Sequence, residues 1–307
     1  MINQGMEHRH GVMTRRRALL QMGLGAMLAG GLVTACEKRD DAMTALVTDL
    51  ENEYEARIGL AAVDLNTWRV FAHRADDRFA MCSTFKWVLA GLILMRVDQG
   101  TLDLDQSISF TPADLLTYAP VTRQNVDAGA MTVSALCEAS VTRSDNTAAN
   151  LLLAQIDGPA GFTRALRDLG HTVTRLDRTE PTLNENAPGD PRDTTTPGAM
   201  IDLLAGFLFD GRGRLSAASR EQLKDWMVDA RTGRTRLQAG LPGDWLVGDK
   251  TGTSRNGAYN DVAFAYPPDT DNPILMSAYI NCAKIDMGVA GTLHAQLAAG
   301  LVTRFTA

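Results

Sequence analysis

The chain has 307 residues, 45% of them apolar and 21% charged, with a formal net charge of −6. That length can bury a sizeable core, as one large domain or two lobes, and the composition is ordinary for a soluble enzyme. Interspersed charges of both signs argue against nucleic acid as a partner, and five scattered histidines with four cysteines lacking Cys-x-x-Cys spacing argue against a metal site.

Residues 1–35 read as an export signal, not as part of the fold. Arg15-Arg16-Arg17 leads into a Gly/Ala/Leu/Met-rich stretch that is too short and too glycine-rich for a membrane span. The paired arginines resemble a twin-arginine signal, and Val33-Thr34-Ala35-Cys36 resembles a lipobox, where the cysteine is lipidated and becomes the first residue. The expectation is an exported, periplasmic protein whose membrane contact is a lipid on Cys36. An ordinary cleavage site beside a stray cysteine is the alternative.

From residue 41 to 57, Leu46, Val47, Leu50 and Tyr54 recur at helical spacing. Strands are expected at 58–65 and 68–73, joined by the turn-like Asn66-Thr67. A strongly apolar helix begins near Ser83. The region from 100 to 211 is mostly helical pattern, with helices at 131–140, 147–155 and 162–169. Residues 177–197 carry four prolines, many acids and no periodicity, and so long an irregular stretch usually has a function. Helices follow at 196–208, with proline near the first turn, and at 216–226. Strands at 245–248, 262–266 and 274–280 and a helix at 287–302 close the chain.

Strands at both ends most economically share one sheet. The fold expected is α/β (α+β): an antiparallel five-stranded sheet with flanking terminal helices plus an inserted all-helical lobe. Residues 40–74 with 235–307 form the sheet lobe and 75–234 the helical lobe, with the active-site cleft between them.

Ser83 and Lys86 stand three apart at the start of the apolar helix, which places both side chains on one face. The lysine amine can then reach the serine hydroxyl and activate a nucleophile without histidine. About one Ser-x-x-Lys is expected by chance in a chain of this size. Ser144-Asp145-Asn146, Glu180 followed by Asn184, and Lys250-Thr251-Gly252-Thr253 make coincidence rare, because Ser-x-x-Lys, Ser-Asp-Asn and Lys-Thr-Gly in this order form one signature.

With these motifs the chain resembles the class A serine β-lactamases from about Leu46 to its C-terminus. The resemblance extends to Tyr118 before Pro120-Val121-Thr122, to Asn146-Thr147-Ala148-Ala149-Asn150-Leu151, and to Arg192-Asp193-Thr194-Thr195-Thr196-Pro197. It implies hydrolysis of the β-lactam amide of penicillins and cephalosporins through an acyl-enzyme, by a monomer without cofactor or metal. Ser83 would be the nucleophile, and the backbone N–H groups of Ser83 and Thr253 the oxyanion hole. Lys86 would relay the serine proton, its pKa lowered by burial or by a neighbouring cation, for which Lys250 is expected. Ser144 would protonate the departing ring nitrogen, and Glu180 with Asn184 would activate the hydrolytic water. Tyr118 and Asn146 would meet the substrate side chain; Lys250, Thr251, Thr253 and Arg236 would meet its carboxylate. An ion pair between Arg178 and Asp193 would close the loop.

Some positions depart from the family pattern. Tyr259 occupies a place where many relatives carry the carboxylate-binding arginine, which makes Arg236 the alternative source. In carbapenem-hydrolysing members a cysteine at the place of Cys82 is bonded to one directly after Lys-Thr-Gly-Thr, where this chain has Ser254. Cys82 is therefore expected to be a reduced, buried thiol. Two rival functions share the signature: a D-alanyl-D-alanine carboxypeptidase or transpeptidase, which lacks the Glu180 base, and a non-catalytic β-lactam-sensing or structural lipoprotein.

Overall fold

The computed structural model describes residues 33–209 and 214–306, with side chains from residue 42 onward. The expected export signal up to residue 32 and the side chain of Cys36 lie outside the described residues. The chain divides into Met1–Arg39 and Asp40–Ala307. The first unit is described only over residues 33–39, where it is helical.

Helix α1 (Val33–Tyr54) buries Met43, Val47 and Leu50, spaced four and three apart, as an amphipathic helix must. Strands β1 (Arg57–Asp64), β2 (Val70–His73) and the short β3 (Phe79–Ala80) follow. Helix α2 (Phe85–Asp98) is buried all round from Phe85 to Leu94, so it is a core helix and not an amphipathic surface one. Beyond it come β4 (Ser107–Ser109), β5 (Ala130–Thr132), α3 (Val133–Thr142), α4 (Asn146–Ala154), α5 (Gly158–Asp168), β6 (Thr194–Thr195), α6 (Pro197–Leu204) and α7 (Ala217–Val228). Strands β7 (Leu246–Thr253), β8 (Ala258–Tyr266) and β9 (Ile274–Asn281) and helix α8 (Met287–Thr306) complete the chain.

The main sheet has five strands in the order β2-β1-β9-β8-β7, every pair antiparallel. Strands β1, β8 and β9 are buried along nearly their whole length, because both faces of the sheet are covered. One hydrophobic cluster joins α1 and α8 to one face through Val47, Leu293 and Ile280. The other joins Val262, Phe264 and Leu275 to α2 and the helices around it. The region between residues 75 and 234 is not all-helical: β3 pairs with β6 and β4 with β5 in two small ribbons. Runs of two or three residues are too short to show a period-two pattern.

The expected helices and strands exist, with shifted ends. The largest shift is in β7, expected over residues 245–248 and found from Leu246 to Thr253. Lys-Thr-Gly-Thr carries weak strand propensity, and its pairing with β8 overrides that. Helix α6 ends at Leu204 and continues as a π-turn over Ala205–Phe209.

Candidate active site

Ser83 lies on a 3-10 turn, Cys82–Thr84, immediately before α2, and not within its first α-helical turn. Cys82 adopts a left-handed backbone with φ of 47°, a conformation that persists only where neighbours enforce it. Several do. Met81 N–H donates to Asp193 O at 2.9 Å, and the Asn260 side-chain amide donates to Ala80 O at 2.9 Å and Met81 O at 3.1 Å. Gly252 packs so tightly beneath the turn that a Cβ there would come within 2.5 Å of Met81 O and 3.1 Å of Ser83 N. Glycine is required for that approach.

Lys86 is fully buried in an apolar helix, a placement lysine takes only when paired. Its Nζ lies 2.9 Å from Glu180 Oε1 and donates to Ser144 O at 2.9 Å, Asn146 Oδ1 at 2.6 Å and Ser144 Oγ at 3.4 Å. The Ser83 hydroxyl donates to Glu180 Oε1 at 3.2 Å. The serine and lysine that the helical spacing expects to bond directly meet instead on one carboxylate oxygen, supplied from a distant loop. Burial lowers the Lys86 pKa, with the Glu180 charge opposing it.

Glu180 is 3% exposed and held on every side. Asn184 Nδ2 donates to its Oε2 at 2.5 Å, while the side chain of Asn150 accepts its N–H at 3.0 Å and donates to its carbonyl at 2.9 Å. The loop is closed as expected: Arg178 Nε donates to Asp193 Oδ2 at 2.5 Å, and the N–H groups of Asp177 and Arg178 donate to Asp193 Oδ1. Arg178 also pairs with Glu185, and Arg192 bonds Asp190.

Ser144 has φ of 57°, which turns its hydroxyl inward between the two lysines. Lys250 Nζ donates to Ser144 Oγ at 3.0 Å and to Thr251 O at 2.8 Å. Burial first, then the Lys86 charge, lower the Lys250 pKa to about 7. The expected direction is thus corrected: burial, not Lys250, dominates at Lys86, and Lys250 itself is strongly perturbed. Asp145 caps α4 by accepting Ala148 N–H at 2.9 Å. Its other oxygen accepts Val121 N–H and Thr122 N–H, which fixes the loop below Tyr118. Tyr118 is 51% exposed, at the rim, and its carbonyl accepts Asn146 N–H at 3.1 Å.

Strand β7 is an edge of the sheet. Ser254 N–H donates to Ala258 O at 2.9 Å, so Thr253 and Tyr259, the preceding pair in register, are a non-hydrogen-bonded pair. The Thr253 N–H therefore points off the free edge, one residue beyond the glycine that touches the Ser83 turn. Thr251 Oγ1 donates to Thr232 Oγ1 at 2.7 Å. Arg236 is buried; it donates to Gly252 O at 3.0 Å, Asn260 O at 2.5 Å and Thr253 Oγ1 at 2.5 Å. It reaches the site through the Thr253 hydroxyl.

Ser83, Lys86, Ser144, Asn146, Glu180, Asn184 and Lys250 thus form one continuous set of contacts, bordered by Thr251, Thr253, Arg236 and Tyr118. Asp145, Asn150 and Asn260 complete the scaffold; they belong to the quoted motifs or strands, but nothing local in the sequence marks their contacts. Cys82 is a free, buried thiol with its pKa raised by burial, as Cys137 and Cys282 are also free and buried. Ser254, at the place of the missing partner cysteine, donates to Asn184 O at 2.5 Å instead.

The sequence matches the model of a β-lactamase enzyme family over residues 40–304. It is 47% identical to β-lactamase AST-1 of Nocardia asteroides over 82% of this chain and 84% of that one. It is 41% identical to β-lactamase L2 of Stenotrophomonas maltophilia over 93% and 97%. Among solved structures, an ancestral class A β-lactamase superposes with a TM-score of 0.82 at 49% identity, covering 86% of this chain and all of the other. A β-lactamase from Xanthomonas campestris pv. campestris does so with a TM-score of 0.82 at 44% identity, covering 86% and 97%. A buried lysine and glutamate meeting at a serine on this fold, in a sequence this close to those enzymes, have one family in common: the chain belongs to the class A β-lactamases.

Proposed function

We propose that the protein hydrolyses the β-lactam amide of penicillins and cephalosporins through an acyl-enzyme on Ser83, and so confers β-lactam resistance. The observation that carries this reading is the convergence of Ser83 Oγ and Lys86 Nζ on Glu180 Oε1, at 3.2 and 2.9 Å, with Asn184 on the other oxygen.

In acylation, Ser83 Oγ attacks the β-lactam carbonyl carbon while its proton passes into the Lys86–Glu180 pair. The oxyanion is received by the N–H groups of Ser83 and Thr253; one such donor is worth roughly 3–4 kcal/mol. As the C–N bond breaks, the ring nitrogen takes the Ser144 hydroxyl proton, and Ser144 is reprotonated from the lysine side. In deacylation, Glu180, oriented by Asn184, takes a proton from water, whose oxygen attacks the ester carbon and frees Ser83. Lys250 as a cation, with Thr251, Thr253 and Arg236 behind it, receives the substrate carboxylate; Asn146 and Tyr118 face the acylamino side chain.

Glu180 favours hydrolysis over the peptidase reading, since a carboxypeptidase of this signature has no such base to release a penicilloyl ester. Steady nitrocefin turnover through many equivalents is the expected behaviour. A burst of one equivalent followed by arrest would point to the peptidase or sensor.

The two-lobed division, residues 40–74 with 235–307 against 75–234, is part of the same reading. So are a monomeric state, export to the periplasm and a lipid on Cys36. Palmitate labelling lost in Cys36→Ala supports the anchor; unchanged labelling refutes it.

A further inference from the structure

The far face of β7 carries a set of buried charges with no part in the proton transfers above. Asp249, Thr251 and Thr253 alternate on that face, and Asp261 of β8 stands opposite Thr251. Asp249, Asp261, Arg236 and His294 of α8 are all buried.

The segment bearing Arg236 is gripped at both ends by the two acids. At one end, a Cβ on Gly233 would come within 2.2 Å of Asp249 Oδ2, so the carboxylate lies directly on the glycine backbone. Arg236 N–H donates to Gly233 O at 2.8 Å, which ties the arginine to that glycine. At the other end, Leu237 N–H donates to Asp261 Oδ2 at 3.1 Å.

The guanidinium donates to two strand carbonyls and the Thr253 hydroxyl, and to no carboxylate among the described residues. A buried cation needs counter-charge, yet a carboxylate in direct contact would occupy its planar fork. Asp261 and then Asp249 supply the favourable field at Arg236 from one step away. Burial and the Asp261 charge raise Asp249 well above the carboxylate range, whereas Asp261 itself lies at about 6, so Asp261 is the main anion at neutral pH. His294 stays neutral, pushed to about 3 by burial and by the Arg236 charge.

Resting on the β-lactam hydrolysis proposed above, we propose that Asp249 and Asp261 are positioning residues for recognition of the substrate carboxylate. They fix residues 233–237 and balance Arg236, so that its guanidinium holds the Thr253 hydroxyl at the carboxylate subsite. Neither touches substrate.

The test compares kcat/KM for a penicillin and for its methyl ester, which lacks the carboxylate charge. Arg236→Ala is the reference and should reduce the acid-to-ester ratio. Asp261→Ala and Asp249→Asn should lower kcat/KM for the free acid about tenfold, chiefly through KM, and leave the ester within about twofold. Asp261→Asn, which keeps an acceptor for Leu237 N–H but loses the charge, should fall between and serves if the alanine variant does not fold. Equal losses on acid and ester, or no loss on either, overturn the positioning role. If Arg236→Ala itself leaves the ratio unchanged while turnover persists, the carboxylate assignment of Arg236 is what fails.

Discussion

Gly252→Ala should damage catalysis far more than its size suggests. An added Cβ would sit 2.5 Å from Met81 O and 3.1 Å from both Cys82 Cβ and Ser83 N, all of them backbone or short, buried atoms. Ordinary contact begins near 3.4 Å, so strand and turn must separate by roughly 0.9 Å. The turn cannot follow freely, because Asn260 and Asp193 tether it at Ala80 and Met81. The separation therefore falls between Ser83 and Thr253, the two backbone donors assigned to the oxyanion. A displacement of about 1 Å at a reacting centre costs on the order of a hundredfold in rate, or about 3 kcal/mol. Steady-state kcat on nitrocefin should fall by that factor, while overpacking lowers stability by only about 1–3 kcal/mol in thermal unfolding. A folded variant with kcat within threefold of the parent would refute the geometry assigned to this edge.

The pH profile should show Lys250. With its pKa lowered to about 7, it is a cation below that pH and neutral above it, so kcat/KM for a carboxylate-bearing substrate should decline as pH rises through about 7, and a methyl ester should not show this limb. Asp193→Ala leaves the Arg178 guanidinium and two backbone N–H groups without their acceptor and should cost about 3 kcal/mol, seen as a Tm several degrees lower and slower deacylation. Thiol titration of the denatured protein, never exposed to oxidant, should find Cys82, Cys137 and Cys282 all reactive; loss of any two to a disulfide contradicts the reduced state.

Much of this site is legible in the sequence because its groups sit in short motifs whose local geometry is fixed by one turn of helix or one strand. Ser83 and Lys86, Ser144 and Asn146, and Glu180 and Asn184 are each within a few residues of one another. What is not legible is how those pieces meet. Helical spacing brings Lys86 to Ser83, but the oxygen that both touch comes from Glu180, 97 residues beyond the serine. Likewise, periodicity ends a strand near Gly248, whereas pairing with β8 carries it to Thr253 and decides which way its N–H points. Arg236 shows the same limit. Its identity suggests an open clamp for an anion, but its burial against Asp261 makes it a support for Thr253. Long-range desolvation has no local signature, and the lysine pair illustrates this best: composition cannot tell which amine burial perturbs, or by how much.

Intact-mass measurement of Glu180→Ala after mixing with benzylpenicillin tests the central claim most directly. With Ser83, Lys86 and Ser144 intact and only the deacylating base removed, the protein should accumulate a stable adduct of one ring-opened penicillin, mapped by peptide digestion to Ser83. An unmodified protein that turns over at the parent's rate would contradict the assignment of Glu180, and an adduct on any residue other than Ser83 would contradict the nucleophile.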